Sequence, residues 1–253
     1  MSGELLRLER ITKHFGGLTA LNGISFSVSS GTIKGLIGPN GAGKTTAFNV
    51  ISGIYEPSGG AIYLDGMRVD RLPSYQLARL GMARTFQTVK LFPTLSVLEN
   101  VMAGCHAATH GGILRCAIPY GRIKKDERIA RNIARDCLTR VGLLYRAEQS
   151  AGELPFGLQR MLEIARALAT KPRLLLLDEP AAGLSAEERA GLRRMILELK
   201  RDGLTILLIE HDMSLVMGIA DTVAVLEFGS MLAEGPPESV QADPEVIKAY
   251  LGA

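Results

Sequence analysis

No apolar run in the sequence approaches the ~18–20 residues that a membrane-spanning helix needs. The segment Met1 to Arg10 is too charged for a secretory signal. Cysteine is scarce. Cys105, Cys116 and Cys137 are an odd number without tight spacing, which argues against a disulfide framework and for a reducing compartment. Cys105, His106, His110 and Cys116 lie near one another, but zinc sites use closely spaced cysteine pairs, so no metal is expected there. Net charge is only +3, too little to call for a nucleic-acid partner. Internal repeats, low-complexity tracts and sustained heptads are also missing. The chain is expected to stay in the cytoplasm, with any membrane role peripheral.

What is there is the substance of a globular protein. The 253 residues are 47% hydrophobic and 22% charged, enough for a full core in one large domain or two small ones. Leu5 to Leu8, Ile24 to Val28, Thr32 to Ile37 and Ala61 to Leu64 read as strands, with turns at Gly16-Gly17 and Asn22-Gly23. Lys44 to Ile51 and Pro73 to Leu80 read as helices. From about Ser96 to Gly152 no strongly apolar strand occurs. Ser96 to Ala103 has helical spacing, as do Ile129, Ile133, Ala134 and Cys137 within Lys125 to Val141. Between them Thr109 to Arg122 reads as a loop. The α/β pattern resumes with helix Leu158 to Ala169, strand Leu174 to Leu177, helix Glu187 to Arg201 and strand Leu204 to Ile209. Val223 to Leu226 and Met231 to Glu234 read as late strands, and Pro244 to Leu251 as a closing helix. The pattern predicts a mainly parallel sheet covered on both faces, interrupted by a helical insertion.

Chemistry concentrates at three places. Gly38-Pro39-Asn40-Gly41-Ala42-Gly43-Lys44-Thr45 follows an apolar strand and opens a helix, the pattern of a phosphate-binding loop. Glycines let successive backbone N–H groups turn inward, and the helix adds the positive end of its dipole. Lys44 supplies a charge for the terminal phosphates and Thr45 a hydroxyl for Mg²⁺. Second, the strand Leu174 to Leu177 ends in Asp178-Glu179-Pro180. Asp178 is placed to hold Mg²⁺ and Glu179 to polarise an attacking water. Third, His211 follows another apolar strand, and parallel strands deliver their C-terminal ends to one crevice. Gln87 is uninformative by itself.

The order of phosphate loop, Gln87, a helix start containing Gly157, Asp178-Glu179 and His211 resembles the nucleotide-binding domain of ABC transporters, over nearly the whole chain. That resemblance implies a P-loop NTPase fold. A RecA-like core is expected at about 1–95 and 158–234, with a small antiparallel β subdomain, a helical subdomain at about 96–157 and a C-terminal extension at 235–253. It implies ATP and Mg²⁺ as ligands. ATP would meet Phe15, which matches the aromatic that stacks on adenine, and Gly38 to Thr46, including Thr46 itself. Mg²⁺ would meet Thr45, Gln87 and Asp178. Glu179, His211 and Gln87 match the catalytic residues. Pro155, Phe156, Gly157, Leu158 and Gln159 match the signature that touches the ATP of a partner subunit, and Ala182 to Ser185 match the family's dimer-contacting loop. Pro155 departs from the family's usual serine, and Ser185 from its aspartate.

A narrower resemblance, to the ATP-binding subunits of branched-chain amino acid importers, rests on Phe15 to Leu21, Ala83 to Gln87, Glu179 to Leu184, Ile209 to Met213, Phe156 and Phe228-Gly229. It implies integral-membrane permease subunits as partners, a second ATPase subunit, identical or homologous, and, indirectly, a secreted solute-binding protein. Urea or amide importers, lipid or lipopolysaccharide exporters and, more remotely, a soluble ABC ATPase share most of these motifs.

Overall fold

The computed structural model describes residues 3–108 and 120–251, with side chains for 3–105 and 126–250. Its central sheet follows from strands that are apolar at almost every position. Every residue of β3 (Ile33–Ile37), β7 (Leu174–Asp178) and β8 (Thr205–Ile209) is buried. Side chains alternate between the two faces of a strand, so such strands need cover on both. Leu175, Leu177, Ile206 and Leu208 join one apolar cluster, with α5 (Phe156–Leu168), α6 (Ala186–Arg201) and α7 (Met213–Ile219). Leu174, Leu176, Leu207 and Ile209 join the other, with α1 (Lys44–Ile51), β1 (Glu4–Phe15) and β2 (Leu18–Ser29). β6 (Met82–Arg84), β9 (Thr222–Glu227) and β10 (Ser230–Gly235) complete six strands in the order β10-β9-β3-β8-β7-β6. All neighbours are parallel except β9 and β10. The mainly parallel sheet read from the sequence is therefore present.

The antiparallel sheet has the order β2-β1-β4-β5, with β4 at Gly59–Leu64 and β5 at Met67–Arg68. Its first two strands are longer than the short runs expected. The turn at Gly16-Gly17 is there, closing the pair Phe15 and Leu18. Asn22-Gly23 is not a turn. It lies inside β2, where Ile24 faces Ile11 but Leu21 faces Lys13, so β2 carries one extra residue. Gly23 takes a left-handed φ of 67° there, as a bulge requires.

The helical block is built from α3 (Val97–Ala108) and α4 (Tyr120–Arg140), packed on each other and on α5. α3 starts where Ser96 and Glu99 exchange hydrogen bonds, Glu99 N–H to Ser96 Oγ at 3.1 Å and Ser96 N–H to Glu99 Oε2 at 2.8 Å, a reciprocal cap. The helix expected from Lys125 begins at Tyr120 instead. Residues 109–119 of the expected loop, with His110 and Cys116, lie outside the described residues, as does the side chain of His106. Cys105 and Cys137 are buried and unpaired. Among the described residues no helix is long and apolar enough to cross a membrane. Short elements without a pattern of their own escaped the sequence reading: β5, β6, α7 and α8 (Pro237–Gln241). α2 (Ser74–Arg79) and α9 (Pro244–Leu251) lie close to where they were expected.

Candidate functional site

The phosphate-loop residues connect β3 to α1 at the C-terminal edge of the central sheet. Gly38, Gly41 and Gly43 have φ of 149°, 81° and 99°, values that favour glycine. Space excludes a side chain as well. A Cβ on Gly38 would sit 2.1 Å from the Leu226 carbonyl oxygen, and one on Gly43 2.7 Å from that of Ala20. The loop is tied to the β9–β10 turn, since Gly229 N–H donates to Ala42 O at 3.1 Å and Asn22 N–H to Gly229 O at 2.8 Å. Lys44 is buried, and its Nζ donates to Gly38 O at 2.7 Å and Pro39 O at 2.8 Å. Burial pushes its ammonium below the ordinary value, while the nearby Glu179 carboxylate opposes the shift.

Glu179 and His211 reach this loop because β8 lies parallel beside β3 and β7 parallel beside β8, so their C-terminal ends open on the same edge of the sheet. Asp178 is only 2% exposed, and its Oδ2 accepts from Arg84 Nη2 at 2.8 Å. Glu179 has a left-handed φ of 46°, an unusual backbone state for a side chain with a Cβ. One of its oxygens lies 2.7 Å from His211 Nε2, and the other accepts from Gln87 Nε2 at 3.1 Å. A cavity of about 550 Å³ is lined by Leu18 to Ala20, Asn40 to Thr46, Gln87, Glu179, His211 and Phe228-Gly229. The structure thus brings together Asn40 to Thr46, Gln87, Glu179 and His211. Gly38, Pro39 and Asp178 do not line that cavity; the carbonyls of Gly38 and Pro39 hold Lys44. Phe15 does not line it either. Its ring meets Tyr55 edge-on at 5.3 Å, with Lys13 Nζ over its face at 5.0 Å.

Pro155 to Gln159, expected from the resemblance to form the signature, also lie off this cavity. Pro155 precedes α5 as its N-cap, in extended backbone at φ −54° and ψ 150°. Gln159 Nε2 donates back to Leu154 O at 2.9 Å. A Cβ on Gly183 would sit 2.9 Å from the Phe156 ring, and one on Gly157 2.0 Å from Glu188 Oε1, so this corner packs against the loop before α6. Ser185 there forms a capping box with Glu188. Aspartate caps helices equally well, which explains why serine serves.

Arg84 and Glu210 are among the residues that escaped the sequence reading. Arg84, almost buried, binds Asn49 Oδ1 at 2.8 Å and Ser52 Oγ at 2.7 Å besides Asp178. Glu210 is 3% exposed and accepts from the N–H groups of Ala181 at 2.6 Å and His211 at 3.0 Å. Burial pushes its carboxyl up, against the pull of those N–H groups. An acidic residue directly after a wholly apolar strand was the available signal for Glu210.

A family model described as "ABC transporter" matches residues 21–182. The chain belongs to the ABC transporter family. A second model, "Branched-chain amino acid ATP-binding cassette transporter", matches residues 230–253. Among curated relatives of this ABC cassette, the high-affinity branched-chain amino acid transport ATP-binding protein BraF of Pseudomonas aeruginosa is 45% identical over 253 residues, covering 100% of this chain and 99% of the relative. LivG of Escherichia coli strain K12, of the same description, is 44% identical over the same shares. The crystal structure of a nucleotide-free ATP-binding cassette from an ABC transporter superposes with TM-score 0.87 at 34% identity, covering 99% of this chain and 100% of that one. A dimeric bacterial ABC transporter cassette gives 0.78 at 25% identity, covering 92% and 98%. As an ABC cassette, the chain binds and hydrolyses ATP.

Proposed function

We propose that the chain powers an importer of branched-chain amino acids. It does so by hydrolysing ATP held between its own phosphate loop and the signature of a second cassette. The observation behind this reading is a division of labour. Asn40 to Thr46, Gln87, Glu179 and His211 surround one cavity, while Pro155 to Gln159 lie away from it. A second cassette is the remaining source of signature contacts, and a solved relative is described as a dimer. The cargo follows the relatives' names and the C-terminal family match.

Lys44 and the loop's N–H groups would neutralise the phosphates. Glu179, hydrogen-bonded to His211 and Gln87, would take the proton of the attacking water. The donors available for Mg²⁺ are oxygens, as that ion requires. They are the Thr45 hydroxyl, the Asp178 oxygen not engaged by Arg84, and the Gln87 carbonyl, whose amide nitrogen is the atom bound to Glu179. Mg²⁺ would neutralise charge on the phosphates when bound. The Gly157 N–H at the start of α5 would meet the partner's γ-phosphate through the helix dipole, so Pro155 removes one hydroxyl without removing the site.

In this reading an integral-membrane permease docks beside Gln87 and the segment from Lys90 to Leu95. The helical block at about 96–157 moves relative to the core, and a secreted solute-binding protein delivers the cargo. The chain works as a peripheral subunit on the cytoplasmic face of the inner membrane. Uptake of labelled leucine by cells with and without the gene tests the cargo. Loss of leucine uptake, restored by the wild-type chain but not by Glu179→Gln, is expected. Unchanged leucine uptake with lost uptake of urea or an amide would overturn it.

A further inference from the structure

The segment between β6 and the helical block carries Gln87, and it is gripped from α5 by two buried side chains. Arg160 is 0% exposed and Glu163 2%. One turn apart on the helix, they point the same way. Arg160 Nη1 donates to Phe86 O at 2.6 Å and to Glu163 Oε2 at 2.9 Å, while Nη2 donates to Gln87 O at 2.8 Å. Glu163 Oε1 accepts from Phe86 N–H at 3.2 Å. Three main-chain groups of Phe86 and Gln87 are thereby fixed to the helix that begins with Pro155 and Gly157. On its other side, the Gln87 amide reaches Glu179 at 3.1 Å.

We propose that Arg160 and Glu163 are positioning residues that transmit the placement of the signature helix to the Gln87 side chain, and through it to Glu179. The proposal rests on the roles given to Gln87 and Glu179 above. A buried ion pair with only a packing role would be satisfied by its own two members. This pair spends its donors and acceptor on a loop, and Arg160 Nε is left without a partner. Arg84 Nε, at the end of β6 just before the segment, is also without one, and the Arg84 guanidinium lies 5.2 Å from the Phe86 ring. Buried donors are ordinarily paired. Of the three such Nε atoms among the described residues, that of Arg146 lies elsewhere, while those of Arg84 and Arg160 belong to side chains that touch Phe86, which fits a loop that has a second arrangement. A signature helix pulled toward a partner's ATP would carry Phe86 and Gln87 with it.

A double-mutant cycle on the full chain decides the matter, because residues acting through one another are non-additive. Arg160→Lys keeps the charge but loses the planar fork that holds two carbonyls. In the wild-type background it is expected to lower kcat about 10-fold with KM for ATP changed less than about 2-fold, since the phosphate loop is untouched. In a Gln87→Ala background the same substitution should change the rate less than about 2-fold. Single-turnover measurement keeps the slow background readable. The same fall in both backgrounds, or a rise in KM accounting for it, would overturn the proposal. If Arg160→Lys does not fold, the charge-balanced pair Arg160→Gln with Glu163→Gln is put through the same cycle, with the same two outcomes. Should Glu179→Gln prove fully active, the underlying reading of Glu179 fails instead, which separates the two claims.

Discussion

The central sheet has a cavity at each end, and both measure about 550 Å³. One, at the C-terminal ends of the strands, is bordered by the phosphate loop, Glu179 and His211. The other, at the N-terminal ends, is bordered by Ser30, Cys137, Arg140, Lys171, Arg173 and Thr205 among others. Size does not separate them. The difference is what their charges are doing. At the N-terminal end Arg140 is bound to Asp202 and Arg173 to Asp65, 2.7 Å apart. At the other end the buried Lys44 donates only to the carbonyls of Gly38 and Pro39, with the Glu179 carboxylate near it. Parallel sheets bind ligands at their carboxyl ends, because there strand ends and helix N-termini present unpaired polar groups to one crevice.

Substitutions that touch only one cavity test this contrast. Glu179→Gln should bind ATP yet hydrolyse it ~10²–10⁴-fold more slowly, the usual worth of a general base. Phosphate release and nucleotide titration check both halves of that statement, and near-normal turnover would remove Glu179 from the chemistry. Lys44→Ala should weaken ATP binding by ~1.5–3 kcal/mol, the worth of a hydrogen bond to a charged group, read by equilibrium titration. At the opposite end Arg140→Ala should leave kcat unchanged and cost no more than ~1 kcal/mol of stability, as exposed ion pairs do; a fall in turnover would break the comparison. The smallest effect belongs to Cys137, whose thiol burial pushes up to about 11. The neutral thiol dominates at pH 8, so alkylation should be slow in the folded protein and fast after denaturation, followed by mass spectrometry.

How much of this was legible beforehand depends on distance along the chain. β3, the phosphate loop and α1 form one uninterrupted pattern, and their limits were read within a residue. β7 and β8 are legible because burial on both faces makes them apolar at almost every position. β6 spans only Met82 to Arg84, too short for any periodicity. α7 begins because the Asp212 carboxylate accepts from Ser214 and Leu215 N–H, but its seven residues are too few to show a helical period. Arg84, Arg160 and Glu210 owe their importance to partners far away in sequence, Arg84 to Asp178 and Arg160 to Phe86, and no local spacing reports such pairs. The signature residues could be named from resemblance, yet their absence from the chain's own cavity needed coordinates.

The phosphate loop, jammed against Leu226 at Gly38 and fastened to the β9–β10 turn at Ala42, is a rigid mould. Those close approaches and hydrogen bonds leave the loop little room to change shape, so binding need not be spent on shaping it. A mould of that kind grips the phosphates shared by substrate and product alike. In the two-cassette reading proposed above, sorting a triphosphate from a diphosphate falls to the partner surface that closes over the open side of the crevice.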